Sequence, residues 1–286
     1  MNYLPKNLNF KEGIAYIGET SLTDVAKNYG TPLYVYDWEH LKGNIDAFTE
    51  AFGKDALFRY AAKAFISKAL VKELDEKGWG IDVVSGGEMA TVQETVGTLE
   101  NTVFNGTFKR TDEIEYFIQN NGGHISIDNR YEIEMLEKTA SSLKKKQPVI
   151  MRINLDVGAE THPMVLTSGY DQQFGISISF AEEALNQIAS SKSLLFSGIH
   201  VHIGSQIKDP ERYKLAMSSC SEFMNSNLEK VEGEAVFNAG GGFFSPYAGE
   251  EVDHELSVYS KAIHDGIKEH WEEGYKIMIE PGRALV

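Results

Sequence analysis

Leu57-Phe58-Arg59-Tyr60-Ala61-Ala62-Lys63 is a short strand-like run, and it is the first of eight such runs that alternate with longer amphipathic segments. Strands that alternate with helices predict a parallel sheet with both faces covered. A closed (β/α)8 barrel fits this pattern, because about 250 residues is typical of that fold. A doubly wound open sheet is the structural alternative. The later runs lie at 80–85, 102–106, 124–128, 148–154, 196–203, 235–239 and 276–280.

The segments between these runs have helical periodicity. Apolar residues recur three or four positions apart at Leu41, Ile45, Phe48 and Phe52, which predicts one buried stripe on a helix. Ser67 is predicted to cap the next helix, since its hydroxyl can accept from a free backbone N–H. Further helices are predicted at about 87–96, 111–120, 133–140, 180–190, 210–229 and 255–272.

The first part of the chain precedes the repeating pattern and contains two more strand-like runs, at 13–17 and 32–36. We therefore expect residues 1–35 to be the N-terminal segment of a second, β-rich domain and residues 36–286 to be the barrel. The sequence stops directly after an apolar run, with no polar tail. We expect the C-terminal portion of the β-rich domain to be missing.

Composition excludes several classes of function. The formal net charge of -15 argues against coating of nucleic acid or of an anionic membrane, because phosphates would be repelled. The single cysteine, Cys220, cannot form a disulfide within the chain, and we interpret it as a small apolar residue on a helix. No apolar run has the length of a membrane span, and the N-terminus lacks the apolar core of a signal peptide. These features predict a cytoplasmic protein.

Chemistry-bearing residues fall at the ends of the predicted strands, where a barrel places its active site. Lys63 ends the first run, and a lysine in a barrel mouth can form a Schiff base with an aldehyde cofactor; it could also simply reach solvent. Glu280 ends the eighth run, where a carboxylate can pair with a protonated ring nitrogen. A salt bridge from Glu280 to Arg283 is an equally good interpretation.

The loops after the sixth and seventh runs suggest a phosphate site. Gly240, Gly241 and Gly242 expose consecutive backbone N–H groups that can bind a phosphate, although a glycine triplet can also be only a tight turn. His202 could stack on a flat ring and Ser205 could donate to a phosphate. His200 is better interpreted as a core histidine, and we expect no metal site because no third ligand has persuasive spacing.

Two further charged residues, Asp82 and Arg152, lie on the second and fifth predicted strands. Each could belong to an ion pair inside the barrel or could orient the polar edge of a cofactor. The sequence pattern leaves both interpretations open.

Five motifs resemble, in order along the chain, those of the fold-type III pyridoxal-phosphate decarboxylases. They are Tyr60-Ala61-Ala62-Lys63-Ala64, Asp82-Val83-Val84-Ser85-Gly86-Gly87-Glu88, His200-Val201-His202-Ile203-Gly204-Ser205-Gln206, Gly240-Gly241-Gly242 and Glu280-Pro281-Gly282-Arg283. The third motif, and the segment from Thr161-His162-Pro163 to Phe174-Gly175, are similar to the diaminopimelate branch of that family. The resemblance implies a lyase that decarboxylates meso-2,6-diaminopimelate to L-lysine, the last step of lysine biosynthesis, as a homodimer with shared active sites.

The resemblance also implies roles for individual residues toward pyridoxal 5'-phosphate. Lys63 would carry the cofactor, Glu280 would hold its pyridine nitrogen, and His202 would stack on its ring. Arg283 would contact the phosphate or a substrate carboxylate. The phosphate would be surrounded by Ser205, Gly240, Gly241, Gly242 and Gly282, and the second-rank cofactor contacts would be Asp82 and Arg152.

Three positions depart from the family pattern, and all three affect local electrostatics or packing. Asn238 stands where the family usually has aspartate, Gln173 where it often has lysine, and Phe65 where asparagine is frequent. Family members continue into a β-domain that supplies a catalytic cysteine and a tyrosine, and Cys220 does not match that cysteine. Two alternatives to the diaminopimelate activity stay open. One is a sibling decarboxylase that acts on ornithine, arginine or carboxynorspermidine, and the other is a pyridoxal-phosphate-binding homologue without turnover.

Overall fold

The computed structural model describes residues 7–155, 174–246, 255–272 and 274–286. Its strands are β1 (Leu8–Lys11), β2 (Ile14–Ile17), β3 (Thr20–Ser21), β4 (Leu57–Ala61), β5 (Gly80–Val83), β6 (Thr102–Phe104), β7 (His124–Ile127), β8 (Gln147–Asn154), β9 (Ile176–Ser177), β10 (Leu194–His200), β11 (Ala235–Asn238) and β12 (Tyr275–Ile279). Its α-helices are α1 (Leu22–Tyr29), α2 (Trp38–Phe52), α3 (Lys68–Glu76), α4 (Gly86–Val96), α5 (Thr111–Gln119), α6 (Arg130–Ser142), α7 (Ile178–Ser190), α8 (Glu211–Asn225) and α9 (Leu256–Lys268).

Eight parallel strands close into a barrel. Hydrogen bonds join them in the order β10-β11-β12-β4-β5-β6-β7-β8, and β8 pairs with β10 to complete the ring. In this closing pair His200 lies opposite Arg152. The prediction of a (β/α)8 barrel is therefore confirmed, and the open-sheet alternative is wrong. Closure brings the ends of β4 and β12 together, although the two strands are the first and last of the repeat.

The strands have one face toward the barrel interior and one toward the helices. Val103, Ile150, Val236 and Met278 pack together with Leu57 in a small interior cluster. The much larger core lies between strands and helices and includes Phe58 and Tyr60 of β4. Because side chains alternate along a strand, Arg59 and Ala61 share the interior face with Leu57. The interior is thus apolar at its base and polar toward the carboxyl ends of the strands.

Helix starts follow from the polar residues that precede them. Ser67 Oγ accepts a hydrogen bond from Leu70 N at 3.2 Å, as predicted. Ser85 caps α4 in the same way, and Asn129 caps α6. The stripe predicted on α2 is confirmed, because Leu41, Ile45, Phe48 and Phe52 are its buried residues.

The segment before the barrel forms the antiparallel sheet β1-β2-β3, followed by α1. The run predicted at 13–17 matches β2, whereas the strand predicted at 32–36 is wrong. Residues 33–37 have no strand or helix assignment, and Tyr34 is 92% exposed. A composition suited to strands needs a hydrogen-bonded neighbour to form one, and no described strand pairs with this segment.

Two smaller expectations concern Cys220 and membrane spans. Cys220 is fully buried on α8, where burial raises the pKa of its thiol, so its interpretation as a core residue is confirmed. Within the described ranges, no helix combines the length and the apolar character needed to cross a bilayer.

Close strand packing makes Gly198 of β10 a sensitive position. A Cβ added there would lie 1.9 Å from the carbonyl oxygen of Val236 on β11, and neither backbone can move without opening the barrel. We predict that Gly198→Ala lowers the free energy of unfolding by about 3 kcal/mol, a cost typical of severe overpacking. Urea unfolding followed by circular dichroism measures the change.

Gly43 on α2 provides the matched control. A Cβ there would meet nothing within 4 Å. Gly43→Ala should therefore raise stability by about 0.5–1 kcal/mol, because alanine favours the helix interior. Equal effects of the two substitutions would contradict the described strand packing.

Candidate active site

A cavity of about 600 Å³ opens among the residues that follow the carboxyl ends of the barrel strands. Its volume is in the range of small-molecule sites. It is lined by Tyr36, Ala61, Lys63, Ala64, Asp82, His202, Ser205, Gln206, Gly241, Gly242, Phe243, Glu280, Gly282, Arg283, Ala284 and Val286. All the predicted site residues except Arg152 and Gly240 are therefore in one cavity.

Lys63 reaches the cavity from a single 3-10 turn, Ala62–Ala64, that directly follows β4. The strand was predicted to continue to Lys63 but ends at Ala61. The Ala61 N–H donates to Pro281 O at 3.0 Å, which joins this turn to the residues after β12. The Lys63 side chain is exposed within the mouth of the cavity.

Glu280 lies at the base of the cavity and is only 6% exposed. Its Oε1 accepts hydrogen bonds from Asn105 Nδ2 at 2.8 Å and from Asn238 Nδ2 at 2.6 Å. His200 Nε2 lies 3.3 Å from its Oε2. Burial alone would raise the pKa of Glu280, but the neighbouring His200 and the hydrogen bonds from Asn238 and Asn105 outweigh it and hold the pKa well below its usual range.

Asp82 on β5 is the second buried carboxyl group of the site. Asn105 Nδ2 donates to Asp82 Oδ1 at 2.8 Å as well as to Glu280, so one amide bridges the two carboxyl groups. Burial and the negative charge of Glu280 raise the pKa of Asp82 well above its usual value. The geometry therefore favours ionisation of Glu280 over ionisation of Asp82.

His200 is a core residue, as predicted, but it also contacts the site. It is 1% exposed, and its Nδ1 lies 2.9 Å from Ser126 Oγ. A hydroxyl on one ring nitrogen favours the orientation in which the other nitrogen faces Glu280. His200 thereby links β7 to the carboxylate at the end of β12.

His202, two residues further along, is held as a neutral ring. Burial, followed by the positive charges of Lys63 and Arg152, lowers the pKa of His202 to about 3. Its Nδ1 accepts a hydrogen bond from the Gly241 N–H at 3.3 Å. The imidazole is thus fixed in orientation by the glycine turn, and it can present its flat face to a ligand.

The glycine turn after β11 has space only for glycine. Gly240 and Gly242 have φ values of 68° and 97°. An added Cβ at Gly241 would lie 2.2 Å from Glu280 O, and one at Gly242 would lie 2.1 Å from Gly204 O. The backbone of this turn therefore lies in close contact with the residues that follow β10 and β12.

Arg152 and Gly240 do not line the cavity. Arg152 Nη1 lies 3.3 Å from Asp128 Oδ1, and its guanidinium lies 4.9 Å from the centre of the Phe174 ring. The ion-pair interpretation of Arg152 is thus confirmed, while a cofactor contact stays a prediction. Gly240 lies behind the turn, where its O accepts from Glu280 N at 2.8 Å. Thr161, His162, Pro163 and Gln173 lie outside the described residues.

Sequence reasoning missed several residues of the site. Asn105 directly follows β6 and could have been found by the strand-end rule that identified Lys63 and Glu280. Ser126 is a small polar residue inside a strand and gives no such signal. Tyr36 lines the cavity from before the barrel and stacks on Phe65, with ring centres 4.0 Å apart. Only tertiary structure could reveal that contact.

These residues fit pyridoxal phosphate. A primary amine lies in the mouth, an ionised carboxylate lies at the base, and a neutral imidazole forms one wall. Gly241 and Gly242 of the glycine turn line this cavity, so a phosphate can approach their backbone without an intervening side chain. An amine, an acid and a phosphate site around one cavity match the aldehyde, the ring nitrogen and the phosphate of this cofactor.

Comparison with known proteins agrees with this geometry. The sequence model of the family described as "Pyridoxal-dependent decarboxylase, pyridoxal binding domain" matches residues 39–286. The chain belongs to this family. Its cofactor is accordingly pyridoxal phosphate, and its barrel is the pyridoxal-binding domain of the family.

Several relatives of the chain are named diaminopimelate decarboxylase. The chain is 32% identical to diaminopimelate decarboxylase of Aquifex aeolicus (strain VF5), covering 98% of this chain and 66% of the relative. It is 33% identical to the Bacillus subtilis (strain 168) enzyme of the same name, covering 96% and 65%. A crystal structure of diaminopimelate decarboxylase from M. jannaschii with L-lysine has a TM-score of 0.88 at 30% identity, covering 98% and 67%. The chain thus spans about two thirds of the length of the relatives it matches.

The raised pKa of Asp82 predicts a pH-dependent effect on stability. Above about pH 4 the unfolded chain releases the Asp82 proton while the folded chain keeps it, so this group lowers stability as pH rises toward its folded pKa. Asp82→Asn removes this pH-dependent loss of stability, because an amide does not ionise in this range. The stability of cofactor-free Asp82→Asn relative to the wild type should therefore increase from pH 5 toward pH 8, by up to about 1.4 kcal/mol for each pH unit below the folded pKa.

Urea unfolding at four pH values between 5 and 8 measures this difference. The exposed Asp55→Asn serves as the control for the loss of one carboxyl group, and it should show no such trend. A constant or decreasing difference for Asp82→Asn would contradict the raised pKa of Asp82.

Proposed function

We propose that this protein decarboxylates meso-2,6-diaminopimelate to L-lysine, with pyridoxal phosphate held in the cavity described above. The observation that carries the proposal is that Lys63 and Glu280, far apart in the chain, line the same cavity beside the glycine turn. The substrate follows from the relatives, which are named diaminopimelate decarboxylases, and from the L-lysine bound in a related structure.

Individual residues have proposed roles in holding the cofactor. Lys63 would bind the aldehyde, Glu280 would pair with the ring nitrogen, and His202 would stack on the ring. Arg283, exposed at the rim, would contact the phosphate or a substrate carboxylate. Phosphate contacts are proposed for Ser205, Gly240, Gly241, Gly242 and Gly282, and further polar contacts for Asp82 and Arg152.

The bound cofactor would supply an electron sink for the pair released when the carbon–carbon bond to carbon dioxide breaks. Glu280 supports that chemistry, because a fixed negative charge favours the protonated form of a pyridine nitrogen. The charge is already in place before any ligand binds, since three side chains hold the carboxylate ionised. Lys63 would hold the aldehyde at the open side of the cavity, where a substrate amine could also reach it.

His202 and the buried base of the cavity would control solvent and orientation. A neutral His202 adds no positive charge beside the ring, so Glu280 remains the dominant electrostatic partner of the nitrogen. Its bond from Gly241 keeps the imidazole plane fixed during turnover. Orientation of this kind lowers the entropy that the reacting groups must lose.

A homodimer with shared active sites and a cytoplasmic location are part of the same proposal. Both rest on the resemblance described above. The single cysteine supports only the location, since a chain that cannot form an internal disulfide suits a reducing compartment. Size-exclusion chromatography with light scattering would measure the assembly state.

The attachment site of the cofactor can be tested directly. Borohydride reduction of protein loaded with pyridoxal phosphate should leave one pyridoxyl group on the peptide that contains Lys63, because a reduced Schiff base is stable to digestion. Peptide mass spectrometry reads the position. Lys68, which is exposed five residues further along, is the matched control: Lys68→Arg should keep the label and Lys63→Arg should lose it. Label on any other lysine would overturn the site.

The substrate is tested by release of carbon dioxide from four candidates by the full-length protein under identical conditions. We expect kcat/KM to be highest for meso-diaminopimelate, by at least about 100-fold over ornithine, arginine and carboxynorspermidine, since a site built for a distal carboxylate rejects substrates that leave it unpaired. Preference for another amine would point to a sibling decarboxylase. Cofactor binding with no turnover of any of the four would point to a non-catalytic homologue.

A further inference from the structure

Asn238 occupies an unusual position between the two halves of the site. It is the last residue of β11 and is completely buried. Its Nδ2 donates to Glu280 Oε1 at 2.6 Å, and its Oδ1 accepts from the Gly240 N–H at 2.9 Å. One side-chain amide thus contacts both the carboxylate at the cavity base and the first residue of the glycine turn.

These two bonds fix the orientation of the amide. If the group were reversed, Asn238 Oδ1 would face the Glu280 carboxylate and Nδ2 would face the Gly240 N–H, so acceptor would meet acceptor and donor would meet donor. Because Asn238 is completely buried, both contacts would be lost together. The amide is therefore held by its neighbours, and it holds them in turn.

Glu280 and the glycine turn also contact each other through the backbone. The Glu280 N–H donates to Gly240 O at 2.8 Å. A Cβ at Gly241 would lie 2.2 Å from Glu280 O, which shows how closely the two segments approach. Asn238 adds the side-chain link that the backbone contacts cannot provide, because it alone reaches the carboxylate oxygen from the turn.

We propose that Asn238 is a positioning residue that joins the Glu280 carboxylate to the glycine turn, so that the ring-nitrogen end and the phosphate end of the cofactor are bound as one rigid unit. The inference rests on the proposed function only in that pyridoxal phosphate occupies this cavity. It does not depend on which amino acid is the substrate.

The chemistry explains why an amide suits this position better than the aspartate usual in the family. Aspartate could still accept from Gly240, but it would set a second carboxylate against Glu280 Oε1. At low pH a shared proton would restore the hydrogen bond, whereas at high pH the two negative charges would repel each other. The groups that face this carboxylate from the surrounding elements are Arg59 on β4, Lys63 after it, Asp82 on β5, and His200 and His202 at the end of β10.

The test uses Asn238→Asp and Asn238→Ala in the full chain, with the dissociation constant of pyridoxal phosphate measured by absorbance and fluorescence titration from pH 6 to pH 9. Relative to the wild type at each pH, Asn238→Asp should bind at least about tenfold more weakly at pH 8, and the difference should shrink toward pH 6. Asn238→Ala should bind more weakly at every pH. Asn101→Asp, the same change at an exposed asparagine, should have no effect.

A second measurement separates positioning from general loss of structure. The ³¹P resonance of bound pyridoxal phosphate should shift when Glu280→Gln is introduced into the wild type, because Asn238 transmits the change to the turn. The same substitution in the Asn238→Ala background should leave the resonance where it was. If Asn238→Asp proves insoluble, this comparison and the Asn238→Ala titration decide the question.

The outcomes distinguish this inference from the proposed function. Wild-type affinity in Asn238→Asp at all pH values, or an equal ³¹P shift in both backgrounds, would overturn the role of Asn238. Failure of the wild-type chain to bind pyridoxal phosphate would overturn the proposed function and this inference together. Cofactor binding with the predicted Asn238 effects, but without release of carbon dioxide from diaminopimelate, would overturn only the proposed function.

Discussion

A buried, ionised carboxylate at the base of the barrel mouth is the constraint around which the site is arranged. Burial of a charge is costly unless hydrogen-bond donors replace water. Glu280 receives those donors from Asn105, Asn238 and His200, which lie at the ends of three other strands. The barrel is what makes this arrangement available, since closure directs the ends of all eight strands to one place. The Glu280 carboxylate is therefore already in position to pair with a ligand that has a basic ring nitrogen.

The glycine turn is in direct contact with the residues at two strand ends, Glu280 and His202. Gly241 lies so close to Glu280 that no side chain fits between them, and its N–H also orients His202. Glu280, His202 and the glycine turn are therefore positioned by a common backbone rather than by independent loops. Preorganisation of this kind lets a cofactor bind without rearrangement of the walls, and it explains why one substitution can affect distant ends of the ligand.

Much of the fold was predictable because the signals are local. Each strand and helix has its own periodicity, and Ser67 caps its helix through a residue only three positions away. Lys63 and Glu280 were found by their places at strand ends. Asn105 also follows a strand, but its contact with Glu280 spans 175 residues and that of Ser126 with His200 spans 74, so both contacts depend on the register of the closed barrel. The strand predicted at 32–36 failed for a related reason, since its residues favour a strand but no described strand pairs with them.

The protonation of the cofactor's ring nitrogen tests the central role of Glu280 most directly. With ¹⁵N in the ring of bound pyridoxal phosphate, the wild-type chain at neutral pH should show the nitrogen resonance of a protonated pyridinium, because the ionised carboxylate stabilises it. In Glu280→Gln the same resonance should move to that of a neutral pyridine. An unprotonated nitrogen in the wild type, or the same resonance in both proteins, would contradict the account.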